Sequence, residues 1–292
     1  MYEQDRLRIA SSEVTEVLFG DTSKYRSLLR SQKERLLRLY PDATILDSMF
    51  DAIDSRIINI CPMVLCDSML KDLSVETPDS LLTALGLTMF SISTHDDLVD
   101  ELPRDRVVIA GLTYAGNIAT LEGLRLFLEN GYYDEAVTVI DSVNKNHYFQ
   151  TKIANTLWKA PSDENGYLDA ISHTKYWVAA GLKPAAVYAG RNDLMPFVDE
   201  FSECYGTTCQ IYDDIREIKD DVRNGYWSLP ITMAAQQGLD LENPEHLNIA
   251  IQRSHELATA LTNRAKLLCS GSFPNLYRLV NNIYKGGSSI HY

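Results

Sequence analysis

Gln210-Ile211-Tyr212-Asp213-Asp214-Ile215-Arg216-Glu217-Ile218-Lys219-Asp220-Asp221 decides how this chain folds, because its acids recur at helical spacing. Residues four apart lie on one side of a helix, so Asp213 stands over Glu217 and Glu217 over Asp221. The preceding Cys204-Tyr205-Gly206-Thr207-Thr208-Cys209 is free of charge, which argues for a buried helix running into the acids. More than a hundred residues earlier the pattern recurs in His95-Asp96-Asp97-Leu98-Val99-Asp100-Glu101, entered from the apolar Leu85-Gly86-Leu87-Thr88-Met89-Phe90-Ser91-Ile92. A single charge run is ordinarily a solvated helix face. Two runs, each with a dry approach, argue instead for inward carboxylates, Asp96 pairing with Asp100 as Asp213 does with Glu217. Carboxylates stacked this way repel one another unless a cation holds them. Hard oxygen donors suit Mg²⁺, which keeps several waters and bridges to substrate phosphates. The expectation is a site that grips a diphosphate through metal.

Composition narrows the class. The chain has 292 residues, 45 % of them hydrophobic, enough for a sizeable core. No run approaches the roughly 18 to 20 consecutive apolar residues of a membrane helix, so no membrane span is expected. Tyr2-Glu3-Gln4-Asp5-Arg6-Leu7-Arg8 carries charge where a secretory leader would be apolar, and a cytoplasmic location is the default expectation. A net charge of −13 opposes binding to nucleic acid or to an anionic membrane. The five cysteines show no CxxC spacing and read as reduced, buried thiols.

Helical periodicity dominates and no alternating strand pattern competes, so the fold class is all-α. Helices are expected over residues 2–18, 22–39, 43–72, 78–101, 106–130, 133–157, 167–190, 194–223, 228–237, 244–270 and 273–285. Thr77-Pro78-Asp79, Asn130-Gly131, Asn224-Gly225 and Asn243-Pro244-Glu245 supply the breaks and caps. The first acid cluster then falls near a helix C-terminus, where the dipole disfavours anions and a bound cation compensates. No linker or repeat divides residues 1–292, which read as one domain, with Gly286-Gly287-Ser288-Ser289 as a loose tail or flap.

These stretches resemble the trans-isoprenyl diphosphate synthase superfamily of class I terpenoid enzymes. The first cluster matches that family's first DDxxD motif, and Gln210 to Glu217 its second, QxxDDxxD, with Glu217 as the last acid. Leu112-Thr113-Tyr114-Ala115-Gly116-Asn117 and Asn224-Gly225-Tyr226-Trp227-Ser228-Leu229-Pro230 resemble stretches that follow the two motifs. The resemblance implies a single large antiparallel bundle around a deep central cavity, and commonly a homodimer. It implies Mg²⁺ ions held by Asp96, Asp97, Asp100, Asp213, Asp214 and Glu217, bridging to an allylic prenyl diphosphate that ionises. Asp96, Asp97, Asp100 and Asp213 are the catalytic candidates. A likeness of Glu217 to Gly225 to the acidic motif of squalene and phytoene synthases adds Asp221 as a metal ligand and Arg223 as a diphosphate contact.

The departures from the family are informative. Arg56-Ile57-Ile58-Asn59-Ile60-Cys61-Pro62 stands where elongating members hold the second diphosphate, and Ile58 and Cys61 replace the expected Lys and Arg. Asp105-Arg106 replaces an Arg-Arg pair, with Arg104 as substitute, and His173-Thr174 aligns with a Lys-Thr pair, with Lys175 nearby. Arg104, Arg106, His173, Lys175, Gln210 and Arg223 are therefore the substrate-binding candidates. Small Ser91, five residues before Asp96, suggests room for a C15 or C20 chain. The expected activity is cyclisation of such a diphosphate. The alternative is a prenyltransferase, either elongating with an altered isopentenyl diphosphate site or acting on a non-isoprenoid acceptor. A non-catalytic regulatory subunit is a third reading, disfavoured by two intact acid motifs.

Overall fold

The computed structural model describes residues 19–39, 53, 57–100, 106–156, 163–225 and 227–288. Among the described residues every regular element is helical, as the periodicity required. The helices are α1 (Ser23–Leu39), α2 (Ile57–Asp72), α3 (Asp79–Asp100), α4 (Arg106–Glu129), α5 (Tyr133–Thr156), α6 (Glu164–Ala170), α7 (Thr174–Tyr188), α8 (Met195–Asn224), α9 (Leu229–Gln237), α10 (Pro244–Cys269) and α11 (Pro274–Ser288). The expected helix over 2–18 and the stretch 43–52 lie outside the described residues. The expected helix over 167–190 is two helices. Asp163 Oδ1 accepts from Gly166 N at 2.7 Å to cap α6, which starts three residues earlier than expected, and a 3-10 turn at Ile171–His173 separates α6 from α7.

Helix α2 is the axis of the bundle. Every residue from Asn59 to Leu70 is buried, and α3 and α7 pack on either side of it. Close approach is possible because small residues meet backbone. A Cβ on Gly181 of α7 would lie 2.5 Å from the Pro62 carbonyl oxygen of α2, and one on Gly206 of α8 would lie 2.8 Å from the Thr174 backbone. On the other flank, a Cβ on Gly123 of α4 would stand 2.7 Å from the Ala84 carbonyl oxygen of α3. These contacts fix the spacing of α4, α3, α2, α7 and α8 more tightly than any side-chain layer can.

Pro62 adds a second constraint. Inside a helix it removes one N–H, so the carbonyl four residues earlier, that of Ile58, loses its donor. Trp177 of α7 supplies the missing bond, its Nε1 donating to the Ile58 carbonyl at 3.0 Å. Two carboxylates, buried Asp67 and half-buried Asp72, close the other ends. Asp67 accepts from Tyr25 Oη and Lys71 Nζ, each at 2.6 Å, and Asp72 caps α11 through Asn275 N at 2.9 Å and Leu276 N at 3.1 Å.

By length and composition α4 alone, among the described helices, is apolar enough to cross a membrane. Its Glu122 is ion-paired with Arg35 of α1 and Arg125, and its glycines pack on α3, which fits a bundle helix. Replacing Trp177 by Phe keeps an aromatic ring but removes the indole N–H and part of the ring volume and orphans the Ile58 carbonyl, so chemical denaturation should show a loss of about 1–3 kcal/mol or more. An unchanged midpoint would mean that the carbonyl finds another donor.

Candidate active site

Burial gives way to accessible surface at one level on three helices, and their open ends together make the candidate recess. On α2, Ile57 and Ile58 keep accessible surface while Asn59 onward has none to speak of. On α7, Lys175, Tyr176 and Trp177 are partly open and Val178 to Leu182 are buried. On α8, Phe201 to Thr208 are buried apart from outward Glu203, and surface returns at Cys209 and Gln210. Asp213 keeps 44 % of its side-chain surface. Even so, burial pushes its carboxyl up to about 6, helped by the Glu217 and Asp221 carboxylates and opposed by Arg216.

The acids of α8 divide into two roles. Asp213, Glu217 and Asp221 follow one another at successive turns, as the spacing required. Arg216 bonds Asp213 and reaches Glu217 at 3.0 Å. Burial raises Asp221 as well, to about 6, with the neighbouring Glu217 and Asp220 charges adding to the effect. Asp214, grouped with the metal ligands on sequence grounds, turns the other way and is buried. Its Oδ2 accepts from the Tyr167 hydroxyl of α6 and, at 2.9 Å, from Leu229 N at the start of α9. Its Oδ1 accepts from Gln210 Nε2 at 3.0 Å. Burial lifts this carboxyl to about 7 against those three donors. Gln210, expected to touch substrate, is thus engaged with Asp214.

Among the described residues no three His, Cys, Asp or Glu side chains converge closely enough to form a metal cluster by themselves. Asp96, Asp97 and Asp100 stand on the last turn of α3, but their side chains and all of Arg104 lie outside the described residues. His95 Nδ1 donates to Gln150 Oε1 at 3.1 Å, and the ring stacks on His147 with centroids 4.4 Å apart. Burial, with His95 alongside, pushes His147 down to about 4.

The basic candidates scatter. Lys175 Nζ lies 5.4 Å from the Tyr176 ring centroid and 3.8 Å from Glu203, at the edge of the recess. His173 places Nδ1 3.3 Å from the Ala170 carbonyl, and burial pushes it down to about 4. It is therefore neutral at pH 7 and brings no charge to an anion. Arg223 is exposed and paired with Asp220 at 2.6 Å on the outer flank of α8, and Arg106 is exposed at the start of α4. Ser91 turns its hydroxyl back to the Thr88 carbonyl at 3.1 Å. Sequence reasoning missed Tyr167, which carries no local signal, and the Trp177 bond. Pro62 announces the orphaned Ile58 carbonyl without naming its partner.

The neutral state of His173 has a stability consequence. An unfolded histidine titrates near 6.5, so the folded protein loses stability as pH falls from about 6.5 toward 4, where the unfolded chain binds the extra proton. Glutamine at 173 cannot titrate, so equilibrium unfolding should show the wild type losing about 1–3 kcal/mol more than His173→Gln across that window. Parallel pH profiles would refute the assignment.

No protein-family model matches the chain, and no curated protein matches it. Solved structures do. A decaprenyl diphosphate synthase from Rhodobacter capsulatus superposes with a TM-score of 0.71 at 15 % identity, covering 96 % of this chain and 98 % of that one. A geranyltranstransferase from Thermotoga maritima gives 0.68 at 14 % identity, covering 91 % and 99 %. A polyprenyl synthase from Caulobacter crescentus, complexed with calcium and isoprenyl diphosphate, gives 0.65 at 16 % identity, covering 94 % and 99 %. Helices and superpositions agree: this chain has the all-α fold of these prenyl synthases.

Proposed function

We propose that this protein is a divalent-metal-dependent isoprenoid enzyme that ionises an allylic prenyl diphosphate and transfers the prenyl group. The observation that carries this reading is the row Asp213, Glu217 and Asp221 at the mouth of an otherwise apolar recess. The donor set fits the ion. All three groups are hard oxygen ligands, and burial and mutual repulsion hold Asp213 and Asp221 up near 6, Asp213 against the opposing pull of Arg216. Mg²⁺ is the proposed ion, held between this row and Asp96, Asp97 and Asp100. When bound, it supplies the charge neutralisation that lets the diphosphate leave.

The remaining work belongs to the chain. Asp214, tied to α6 and α9, fixes the angle at which α8 presents Asp213. Arg216 lies along the row, bonded to Asp213 and Glu217, and holds their carboxylates in place. Lys175, on the facing helix α7, is the described cation placed to meet the diphosphate from that side. Ile58, Trp177 and Cys209 line the dry wall that keeps water from the allylic carbon.

Transfer is preferred to cyclisation because the proteins of like fold are described as synthases of prenyl diphosphates. Cyclisation keeps support from one observation. Cys61 is wholly buried, and Ile58 presents an uncharged side chain, where a second diphosphate would need cations. The products of C10, C15 and C20 allylic diphosphates with Mg²⁺, with and without isopentenyl diphosphate, separate the two. A longer diphosphate formed only with isopentenyl diphosphate means elongation, and a hydrocarbon or alcohol formed without it means cyclisation. Asp213→Ala and Asp96→Ala should each lower kcat/KM on the order of a hundredfold or more, and near-normal turnover in either would remove that residue from the mechanism.

We also propose a homodimer through α4 and α5. Tyr114, Leu121 and Leu128 of α4 and Val137 and Tyr148 of α5 leave large apolar side chains exposed. Light scattering should give twice the chain mass for the wild type and the monomer mass for Leu121→Glu; a monomeric wild type would overturn the proposal.

A further inference from the structure

We propose that the inward face of α5 binds the prenyl acceptor, and that the acceptor is a neutral molecule with an O–H or N–H donor; this rests on the reading of the site as one that ionises an allylic diphosphate. Helices α2 and α5 each pack on both α3 and α7, so they stand on opposite sides of one interior. The two walls differ in chemistry. On α2, partly open Ile58 and buried Cys61 are uncharged and make no hydrogen-bonding surface. On α5 the inward positions, at i, i+3, i+4 and i+7, are Val143, Asn146, His147 and Gln150. The polar three lie at the level of the acids. Gln150 accepts from His95, the residue next to Asp96, and Asn146 Nδ2 donates to the His173 carbonyl at 3.3 Å, just before α7 opens at Lys175.

Two atoms on this face are acceptors that no donor of the chain satisfies. Asn146 is 2 % exposed, and its Oδ1 is buried without a hydrogen-bond partner. The neutral His147 ring gives its one N–H to the Ser91 carbonyl, which leaves the lone pair of Nε2 buried and unpartnered. Asn146 leans toward α7, and His147 leans toward α3, where it stacks on His95. Successive helix positions are about 100° apart, so a molecule lying on α5 between the two side chains reaches both. A buried acceptor left bare costs free energy, so what this face selects is a donor. Isopentenyl diphosphate offers none, and its charge would meet neutral histidines, since burial holds both His147 and His173 down near 4. An alcohol, a phenol or an aromatic amine matches. In the transfer, its oxygen or nitrogen bonds to the allylic carbon as the bond from that carbon to the diphosphate oxygen breaks. The diphosphate leaves with the electron pair, and the acceptor's proton passes to His147 Nε2 and on to water as the product departs. A weak base suffices there, because a hydroxyl that has attacked a carbocation is a strong acid.

The experiment incubates the protein and Mg²⁺ with C15 and C20 allylic diphosphates and phenol, benzyl alcohol or aniline, and in parallel with isopentenyl diphosphate. Products are identified by mass spectrometry against an enzyme-free control, and released diphosphate is measured. Wild type should form a prenyl ether or prenyl amine with at least one of the three probes, in excess over free prenyl alcohol. His147→Phe and Asn146→Leu should each lower the ratio of that product to prenyl alcohol about tenfold or more. A general loss of structure would not move this ratio, because both products pass through the same ionisation. Should His147→Phe fail to fold, Asn146→Leu carries the comparison, with His147→Gln as the second variant. An unchanged ratio in the folded variants would overturn the role of this face. Diphosphate released with only prenyl alcohol, a hydrocarbon or a longer diphosphate as product would overturn the neutral acceptor and leave the ionising site standing. A wild type that releases diphosphate from neither substrate would overturn that reading itself, and this inference with it.

Discussion

One buried carboxylate organises the site. Asp214 has its carboxyl inside the bundle, raised to about 7 by burial, and such a polar group is tolerated only when hydrogen-bond partners surround it. The three donors come from three directions: a hydroxyl on α6, a side-chain amide on its own helix and the first N–H of α9. The last of these also serves α9, whose Ser228 makes no side-chain cap, because an anion at a helix N-terminus meets unpaired N–H groups and the positive end of the dipole. Satisfying Asp214 therefore locks α6, α8 and α9 together. Asp213, its neighbour in sequence, is rotated by about 100° around the helix and left facing the recess. Adjacent aspartates thus divide the work, one holding the helix in place and the other available to a ligand.

The same economy governs the packing. Where α7 meets α2, and α8 meets α7, a glycine lies against backbone. Helices in such contact cannot slide without clashing, so the level at which they part is fixed, and that level is the mouth of the recess. Pro62 and Trp177 sit at this boundary. The proline opens a carbonyl on α2 and the indole on α7 closes it, which joins the two walls just beneath their open ends.

Much of this was legible in the chain. The helices over Ser23–Leu39, Arg106–Glu129, Leu229–Gln237 and Pro244–Cys269 fall where periodicity and caps put them, because capping and apolar spacing are local. The acid row Asp213, Glu217 and Asp221 was legible for the same reason. What escaped was long-range. The DD pair gives no hint that Asp214 turns away, since that depends on a tyrosine 47 residues distant. His173 reads as a surrogate cation until its burial is known. The early start of α6 escaped because Glu164-Asn165-Gly166 is polar and lacks the apolar stripe on which the helix boundaries were drawn.

Charge explains why the site is arranged as it is. With a net charge of −13, the chain repels an anionic ligand at long range. The cations near the recess do little to offset this, since Lys175 is shared with Glu203, Arg216 is spent on Asp213 and Glu217, and His173 is neutral. A diphosphate placed there without an ion would face carboxylates alone. With a divalent ion the sign inverts, because the acids that repelled the ligand become the ligands of what attracts it. Under the proposed function, a dependence on metal would follow from this charge distribution and would act as a filter. Ligands unable to coordinate the ion would be excluded by the same row that would retain a diphosphate.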